Sequence, residues 1–145
     1  MIYTEAVKKA INIMYKKHEN QIDKGGIPYV FHPWHIAEQM PDEEKTIVAL
    51  LHDVIEDTDT TLEELKSSGF SDEIVKALEL LAHNNNEDYF TYIKKLSSNE
   101  IARCVKLEDL KHNLDLTRLK KIAEKDLKRQ QKYQECIKFL ENIKS

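Results

Sequence analysis

In the middle of the chain the sequence reads Leu50-Leu51-His52-Asp53-Val54-Ile55-Glu56-Asp57. On a helix, successive residues advance by about 100° around the axis, so the apolar and polar side chains of this stretch separate onto opposite halves. The polar half then carries one imidazole and three carboxylates, which are groups that bind metal ions and transfer protons. The alternative interpretation is that these polar side chains only form a solvated helix surface. Residues elsewhere in the chain distinguish a functional site from such a surface.

The chain has 145 residues, of which 41% are hydrophobic and 33% are charged, and this predicts one globular domain over residues 1–145. No apolar run reaches the about 18 residues that a membrane-spanning helix needs. The N-terminal residues lack the pattern of a secretory signal. We therefore expect a cytoplasmic protein without a membrane partner. The net charge of −4 argues against nucleic acid as a partner, since domains that bind it usually carry a basic face.

The sequence predicts an all-α fold, a single-domain helical bundle. Only three glycines and three prolines occur, and no stretch alternates apolar and polar residues long enough for a sheet. A first helix is expected to begin near Thr4, a loop to cover residues 23–28, and a long central helix to run from Asp42 through Asp57. A last helix from about Glu124 is expected to close the bundle with four apolar side chains. These are Leu127, Tyr133, Ile137 and Leu140.

Another helix start is indicated at His32-Pro33-Trp34. Proline suits the first helical position, where its missing N–H costs no hydrogen bond. This places His32 at the cap, with its ring free to project into a cleft. A purely structural histidine is the alternative interpretation.

His52 and Asp53 are adjacent and cannot enclose an ion alone, so further ligands would have to come from other helices. A set of imidazole and carboxylate ligands suits Mn²⁺, Fe²⁺ or Zn²⁺. The residue types alone leave six remote ligands open. These are His18, His32, His35, His83, Asp109 and Asp115.

Three segments share a pattern of motifs, and they read GIPYVFHP (26–33), ALLHDVIEDT (49–58) and VKLEDLKHN (105–113). Their order and spacing resemble the HD superfamily of metal-dependent phosphohydrolases. The resemblance is closest to the RelA/SpoT-type alarmone hydrolase domain in its small stand-alone form. That domain cleaves the 3′-pyrophosphate from guanosine tetra- or pentaphosphate. The resemblance therefore implies a helical phosphohydrolase that acts on a phosphorylated small molecule, with a nucleotide as the expected substrate.

The resemblance also implies a role for each motif residue. One divalent metal ion is expected, Mn²⁺ first, with Fe²⁺ and Zn²⁺ as alternatives. Its ligands would be His32, His52, Asp53 and Asp109. Glu56 and Asp57 would orient and activate the attacking water. Lys24 and Asn113 would contact the nucleotide, although for Lys24 an ordinary loop charge is the alternative.

The chain departs from the family pattern where the family recognises guanine and phosphate. Asp23 stands in place of an arginine that stacks on the base, and this change removes a cation and adds a charge that repels a polyanion. Asp115 and Leu116 replace an Arg-Thr pair, and Leu110 replaces another arginine. Hydrolysis is therefore better supported than the alarmone substrate. Two other functions stay open: a metal-loaded sensor that binds a nucleotide without turnover, and a nucleoside monophosphatase.

Overall fold

A computed structural model describes residues 1–143 of the chain. Among these residues the secondary structure is helical, apart from one isolated bridge between Ile22 and Pro28. The helices are α1 (Glu5–His18), α2 (Phe31–Glu38), α3 (Glu43–Leu51), α4 (Val54–Asp57), α5 (Leu62–Ser67), α6 (Asp72–Leu81), α7 (Tyr89–Ser97), α8 (Glu100–Asn113) and α9 (Glu124–Glu141), with a 3-10 turn at Leu116–Arg118. The predicted all-α fold is confirmed. The prediction of one domain over residues 1–145 stays a prediction, and its last two residues lie outside the described range.

Within residues 1–143, no helix combines the length and the apolar character needed to cross a membrane.

Helix α3 is the centre of the bundle. It packs against α1, α2, α6 and α8, and every residue from 46 to 51 is buried. The sequence predicted burial on one half only, but contacts from several directions bury the whole second half of this helix. Asp42 caps its start as predicted, because the carboxylate accepts the N–H of Lys45 at 2.9 Å.

The predicted continuous helix from Asp42 through Asp57 is wrong, because α3 ends at Leu51 and His52-Asp53 forms a turn before α4. The His52 side chain accounts for the break. Its Nδ1 atom lies 2.6 Å from the carbonyl oxygen of Ala49, the acceptor that a continuous helix would offer to the N–H of Asp53. His52 and Asp53 therefore lie at the junction between α3 and α4. Their side chains do not have to follow the spacing of a continuous helix.

Helix α2 also begins earlier than predicted. Val30 is its N-cap and Phe31 its first residue, so His32 lies inside the first turn and is buried. Pro33 is tolerated because its absent N–H still falls among the first-turn groups that have no partner within the helix.

The last helix closes the bundle only in part as predicted. Ile137 and Leu140 are buried, but Leu127 is 52% exposed. Asp126, one residue earlier, is buried instead and accepts the N–H of Ala123 at 2.8 Å. In its first turn, the buried face of α9 thus carries a capping carboxylate and not a leucine.

The burial of α3 gives a first prediction. Leu50→Ala should lower the free energy of unfolding by about 2–5 kcal/mol, because the deletion leaves a cavity at the centre of the bundle. Leu127→Ala is the matched control and should change it by about 0.5 kcal/mol or less, since that side chain is exposed. Urea unfolding followed by circular dichroism measures both. Equal effects would contradict the central position of α3.

Candidate functional site

A cleft of about 530 Å³ opens beside the junction of α3 and α4. This volume falls within the roughly 300–1,000 Å³ of small-molecule sites. All eight residues that the sequence singled out for the site line this cleft. They are Lys24, His32, His52, Asp53, Glu56, Asp57, Asp109 and Asn113.

Three buried side chains bring potential metal ligands together. His32 from α2, His52 from the α3–α4 junction and Asp109 from α8 each offer one ligand atom, and these atoms lie within 4.8 Å of one another. His32 Nε2 is 2.8 Å from Asp109 Oδ1, and His52 Nε2 is 3.6 Å from the same oxygen. Asp53 adjoins the group, since its Oδ2 lies 3.0 Å from His52 Nε2.

The other four remote residues that the sequence left open as ligands are His18, His35, His83 and Asp115. None of them belongs to the group of close ligand atoms found in the described part of the chain. His83 Nε2 instead lies 2.9 Å from the carbonyl oxygen of Glu87. Asp115 caps the 3-10 turn by accepting the N–H of Thr117 at 3.0 Å.

The imidazole of His52 fits a bound cation. Its Nδ1 donates to the Ala49 carbonyl oxygen, which leaves Nε2 as the nitrogen with a lone pair. This Nε2 is buried and has no hydrogen-bond partner, although carboxylate oxygens of Asp53 and Asp109 are close to it. A lone pair that faces carboxylate oxygens is unfavourable unless a proton or a cation lies between them. The His-Asp group can therefore hold a divalent metal ion.

The charge balance of the cleft supports the same conclusion. Burial, followed by the nearby carboxylates of Asp109, Asp57 and Glu56, raises the pKa of Asp53 well above its usual value, although Lys106 opposes this. Burial and Asp109 also raise the pKa of Asp57 against the effect of His52. Carboxylates that are crowded in this way gain from a cation that compensates their charges.

Lys106 also lines the cleft, although the sequence gave it no role. Its Nζ lies 2.9 Å from Asp109 Oδ2 and above the rings of Tyr89 and Tyr92, at 5.7 and 5.3 Å from their centroids. Burial disfavours the ammonium, but the Asp109 carboxylate holds the pKa of Lys106 well above its usual value. Against the opposing effect of burial, Lys106, followed by the hydrogen bond from His32, keeps the pKa of Asp109 well below its usual value. The Lys-Asp spacing of three residues was the available sequence signal.

Two further side chains orient the potential ligands. His32 Nδ1 and His112 Nδ1 are 2.7 Å apart, and the hydroxyl of Tyr29 donates to Asp53 Oδ2. Burial, with the nearby Arg118, lowers the pKa of His112 to about 4, so this ring is neutral near pH 7. Hydrogen bonds of this kind fix the direction of metal-binding side chains. Both residues lie within the motifs, but periodicity alone does not indicate what they contact.

Glu56 and Asp57 lie on α4, within one helical turn of Asp53. The carboxylate of Glu56 accepts the N–H of His83 at 2.7 Å, and this bond restrains it at the edge of the cleft. Both side chains line the cleft beside the potential metal ligands. The arrangement can position a water molecule and accept a proton from it.

The two residues predicted to contact a nucleotide also face the cleft. Asn113 donates from Nδ2 to Asp109 Oδ1 at 3.2 Å, which leaves its carbonyl oxygen available to a ligand. Lys24 lies in the exposed loop before α2, where partial burial and the nearby Arg129 lower its pKa.

Contrary to what the sequence suggested, the charge of Asp23 is not free to repel a polyanion. Its Oδ1 accepts the N–H groups of Gly25 and Ile27 at 2.8 and 2.9 Å, and its Oδ2 lies 3.3 Å from Arg118 Nη2. Burial opposes ionisation, but these hydrogen bonds and the guanidinium lower the pKa of Asp23 below its usual value. The negative charge is therefore already paired within the protein.

The helical fold and the clustered His, Asp and Glu side chains resemble those of HD-type domains. No protein-family model matches the chain. Over 81 residues it is 40% identical to the guanosine-3′,5′-bis(diphosphate) 3′-pyrophosphohydrolase of Aquifex aeolicus, a match that covers 53% of this chain and 12% of that protein. The protein of that activity from Danio rerio is 42% identical over 72 residues, which are 44% of this chain and 40% of the relative. The chain thus spans less than half the length of these two relatives.

A solved structure has the same fold over nearly the whole chain. It is described as a metazoan ortholog of SpoT that hydrolyses ppGpp, and it matches with a TM-score of 0.79 at 19% identity, over 98% of this chain and 88% of that one. The predicted resemblance to the RelA/SpoT-type alarmone hydrolase domain is therefore confirmed.

The contact between Lys106 and Asp109 gives a second prediction. In metal-free protein, Lys106→Met should lower the free energy of unfolding by about 3–5 kcal/mol, because it leaves the buried Asp109 carboxylate without its cation. Lys132→Met is a matched control, since Lys132 also lies over the Tyr89 ring, at 4.4 Å, but is exposed. Its effect should be about 1 kcal/mol or less. Urea unfolding in the presence of a chelator compares the two, and equal losses would contradict the proposed dependence of Asp109 on Lys106.

Proposed function

We propose that the protein is a metal-dependent phosphohydrolase that removes the 3′-pyrophosphate from guanosine 3′,5′-bis(diphosphate). The activity that names its relatives supports the reaction and the substrate. The observation that carries the proposal is the buried, unpartnered Nε2 atom of His52 between two carboxylates, with an acid pair beside it. It supports a cation-assisted reaction at this position of the cleft.

The proposed metal ligands are His32, His52, Asp53 and Asp109. Their nitrogen and oxygen donors suit Mn²⁺, with Fe²⁺ and Zn²⁺ as alternatives, and no thiolate takes part. A divalent cation held there supplies two things: it polarises a phosphoryl oxygen, and it lowers the pKa of a bound water.

The acid pair handles the proton of the attacking water in this proposal. Glu56, restrained by the N–H of His83, orients the water molecule. Asp57 accepts a proton from it, and its raised pKa makes it a stronger base than an ordinary carboxylate. The water oxygen bonds to the phosphorus next to the ribose, the bond from that phosphorus to the 3′ oxygen breaks, and the proton taken from the water passes to the 3′ oxygen. Pyrophosphate and guanosine 5′-diphosphate are the products.

The nucleotide is held by residues farther along the cleft. The carbonyl oxygen of Asn113 accepts a hydrogen bond from a ribose hydroxyl. Lys24 contributes a positive charge near the phosphates.

The reaction gives a third prediction. Manganese-loaded protein should convert guanosine 3′,5′-bis(diphosphate) to guanosine 5′-diphosphate and pyrophosphate, as followed by anion-exchange chromatography. Glu56→Gln should reduce kcat by about 10²- to 10⁴-fold while the bound metal is retained, because the variant loses a group that handles the water and not a ligand. Release of orthophosphate would instead indicate a monophosphatase. Tight binding without any product would indicate a sensor.

The ligand assignment gives a fourth prediction. Asp53→Ala should abolish both metal binding and activity while the protein stays helical, because one metal-binding carboxylate is lost. Asp59→Ala is the matched control: this nearby aspartate is exposed and contacts Lys17 at 3.2 Å, so metal content should not change. Elemental analysis and circular dichroism measure the outcome. Full metal stoichiometry in Asp53→Ala would show that the assignment is wrong.

A further inference from the structure

One wall of the cleft is built from two segments that are distant in sequence, the loop of residues 23–28 and the 3-10 turn at Leu116–Arg118. Their backbones are in close contact at Gly25, where a Cβ atom would overlap the carbonyl oxygen of Arg118. Asp23 holds the loop from inside by accepting two of its N–H groups. The position of Arg118 is therefore fixed by the loop against which it packs.

The guanidinium of Arg118 is held from two sides. Its Nη1 donates to the carbonyl oxygen of His112 at 3.0 Å, and its Nη2 lies 3.3 Å from Asp23 Oδ2. These contacts place the cation next to the potential metal ligands, because His112 is in contact with His32. A side chain that is already restrained loses little conformational freedom when it binds a ligand.

Arg118 keeps hydrogen-bonding capacity for a ligand. A guanidinium has five N–H donors, and the two contacts above use only part of them. The side chain is 19% exposed, and the residue lines the cleft. Its fork of donors matches the oxygens of a phosphate group, to which it can form two parallel hydrogen bonds.

Cationic side chains line the cleft away from the His-Asp group. Lys24, Arg118 and Arg129 line it from the loop, the 3-10 turn and α9, together with the acids Asp23, Asp115 and Asp126. Each of these acids has a partner within the protein: Asp126 is 3.5 Å from Arg129, Asp23 is paired with Arg118, and Asp115 accepts the N–H of Thr117 at 3.0 Å. A ligand with two separated anionic groups fits this arrangement, with one group at the metal ligands and the other at the N–H donors of Arg118.

We propose that Arg118 binds the phosphate group of the substrate that is not cleaved, and that Asp23 is the positioning residue that holds its guanidinium. The inference rests on the proposed function, because it assigns to the same cleft a substrate with two separate phosphorylated positions. Arg118 thereby determines specificity for nucleotides that carry a second phosphorylated position.

The test compares two nucleotides on metal-loaded protein, guanosine 3′,5′-bis(diphosphate) and guanosine 3′-diphosphate. Arg118→Gln should raise Kd and KM for the first nucleotide roughly 10- to 100-fold, the range expected for a charge-assisted hydrogen bond. Its kcat should change by about threefold or less. The second nucleotide, which has no 5′-phosphates, should bind to both proteins with Kd values within about twofold.

Arg103→Gln is the matched control for the loss of an arginine. Arg103 donates to the carbonyl oxygen of Ser97, six residues earlier in sequence, at 2.7 Å, as Arg118 does to that of His112, but it does not line the cleft. This variant should bind both nucleotides like the wild type. Asp23→Asn keeps an oxygen for the loop N–H groups but loses the charge, so it should weaken binding of the bis(diphosphate) by only a few fold.

Calorimetry makes the inference testable apart from turnover. Binding of guanosine 3′,5′-bis(diphosphate) without product would overturn the proposed function, and weaker binding by Arg118→Gln would still support the role of Arg118. Unchanged binding in Arg118→Gln, or equal losses for the two nucleotides, would overturn the inference even where hydrolysis occurs. A wild type that binds neither nucleotide would overturn both.

Discussion

The ionised carboxylate of Asp109 is the constraint on which the site depends. A buried charge is costly unless other groups compensate it, and Asp109 has such groups from three directions. Lys106 supplies the opposite charge, His32 and His52 approach one oxygen, and Asn113 donates to the same oxygen. These contacts hold the end of α8 against α2 and the α3–α4 junction. The interaction that gathers the potential metal ligands thus also ties three parts of the bundle together.

The end of helix α3 at Leu51 also helps to bring the potential metal ligands together. A continuous helix would keep His52 and Asp53 about 100° apart, on neighbouring parts of its surface. The Nδ1 atom of His52 instead donates a hydrogen bond to the Ala49 carbonyl oxygen, and the helix ends at this point. The Nε2 atom of the same ring then faces Asp53 and Asp109. The α4 helix that follows carries Glu56 and Asp57 along the edge of the cleft.

The cleft also explains how an apparent loss of recognition residues can be compatible with binding a nucleotide. Considered alone, Asp23 is a negative charge where a cation is expected. In the folded chain it is a loop-stabilising residue and the partner of Arg118, which lies 95 residues away in sequence. The pair exposes cationic N–H donors, and not a free carboxylate, to the cleft. A cation at a different sequence position can therefore contribute to the same surface.

The sequence alone determined the helical class, the loop of residues 23–28 and the eight predicted residues that line the cleft. Helical periodicity, few glycines and prolines, and three ordered motifs are local signals, and they suffice for these conclusions. The limits of α2, the end of α3 and the burial of Asp126 in place of Leu127 could not be read in this way, because each depends on a side chain that contacts backbone or neighbouring helices.

Only the tertiary structure decided which histidines approach Asp109, that Lys106 compensates its charge, and that Asp23 is paired with Arg118. These contacts join residues from different helices and loops, often far apart in the chain, and their energies depend on burial. Neither distance in space nor burial is encoded in the local pattern of residues, so the sequence could name the groups of the site but not their partners.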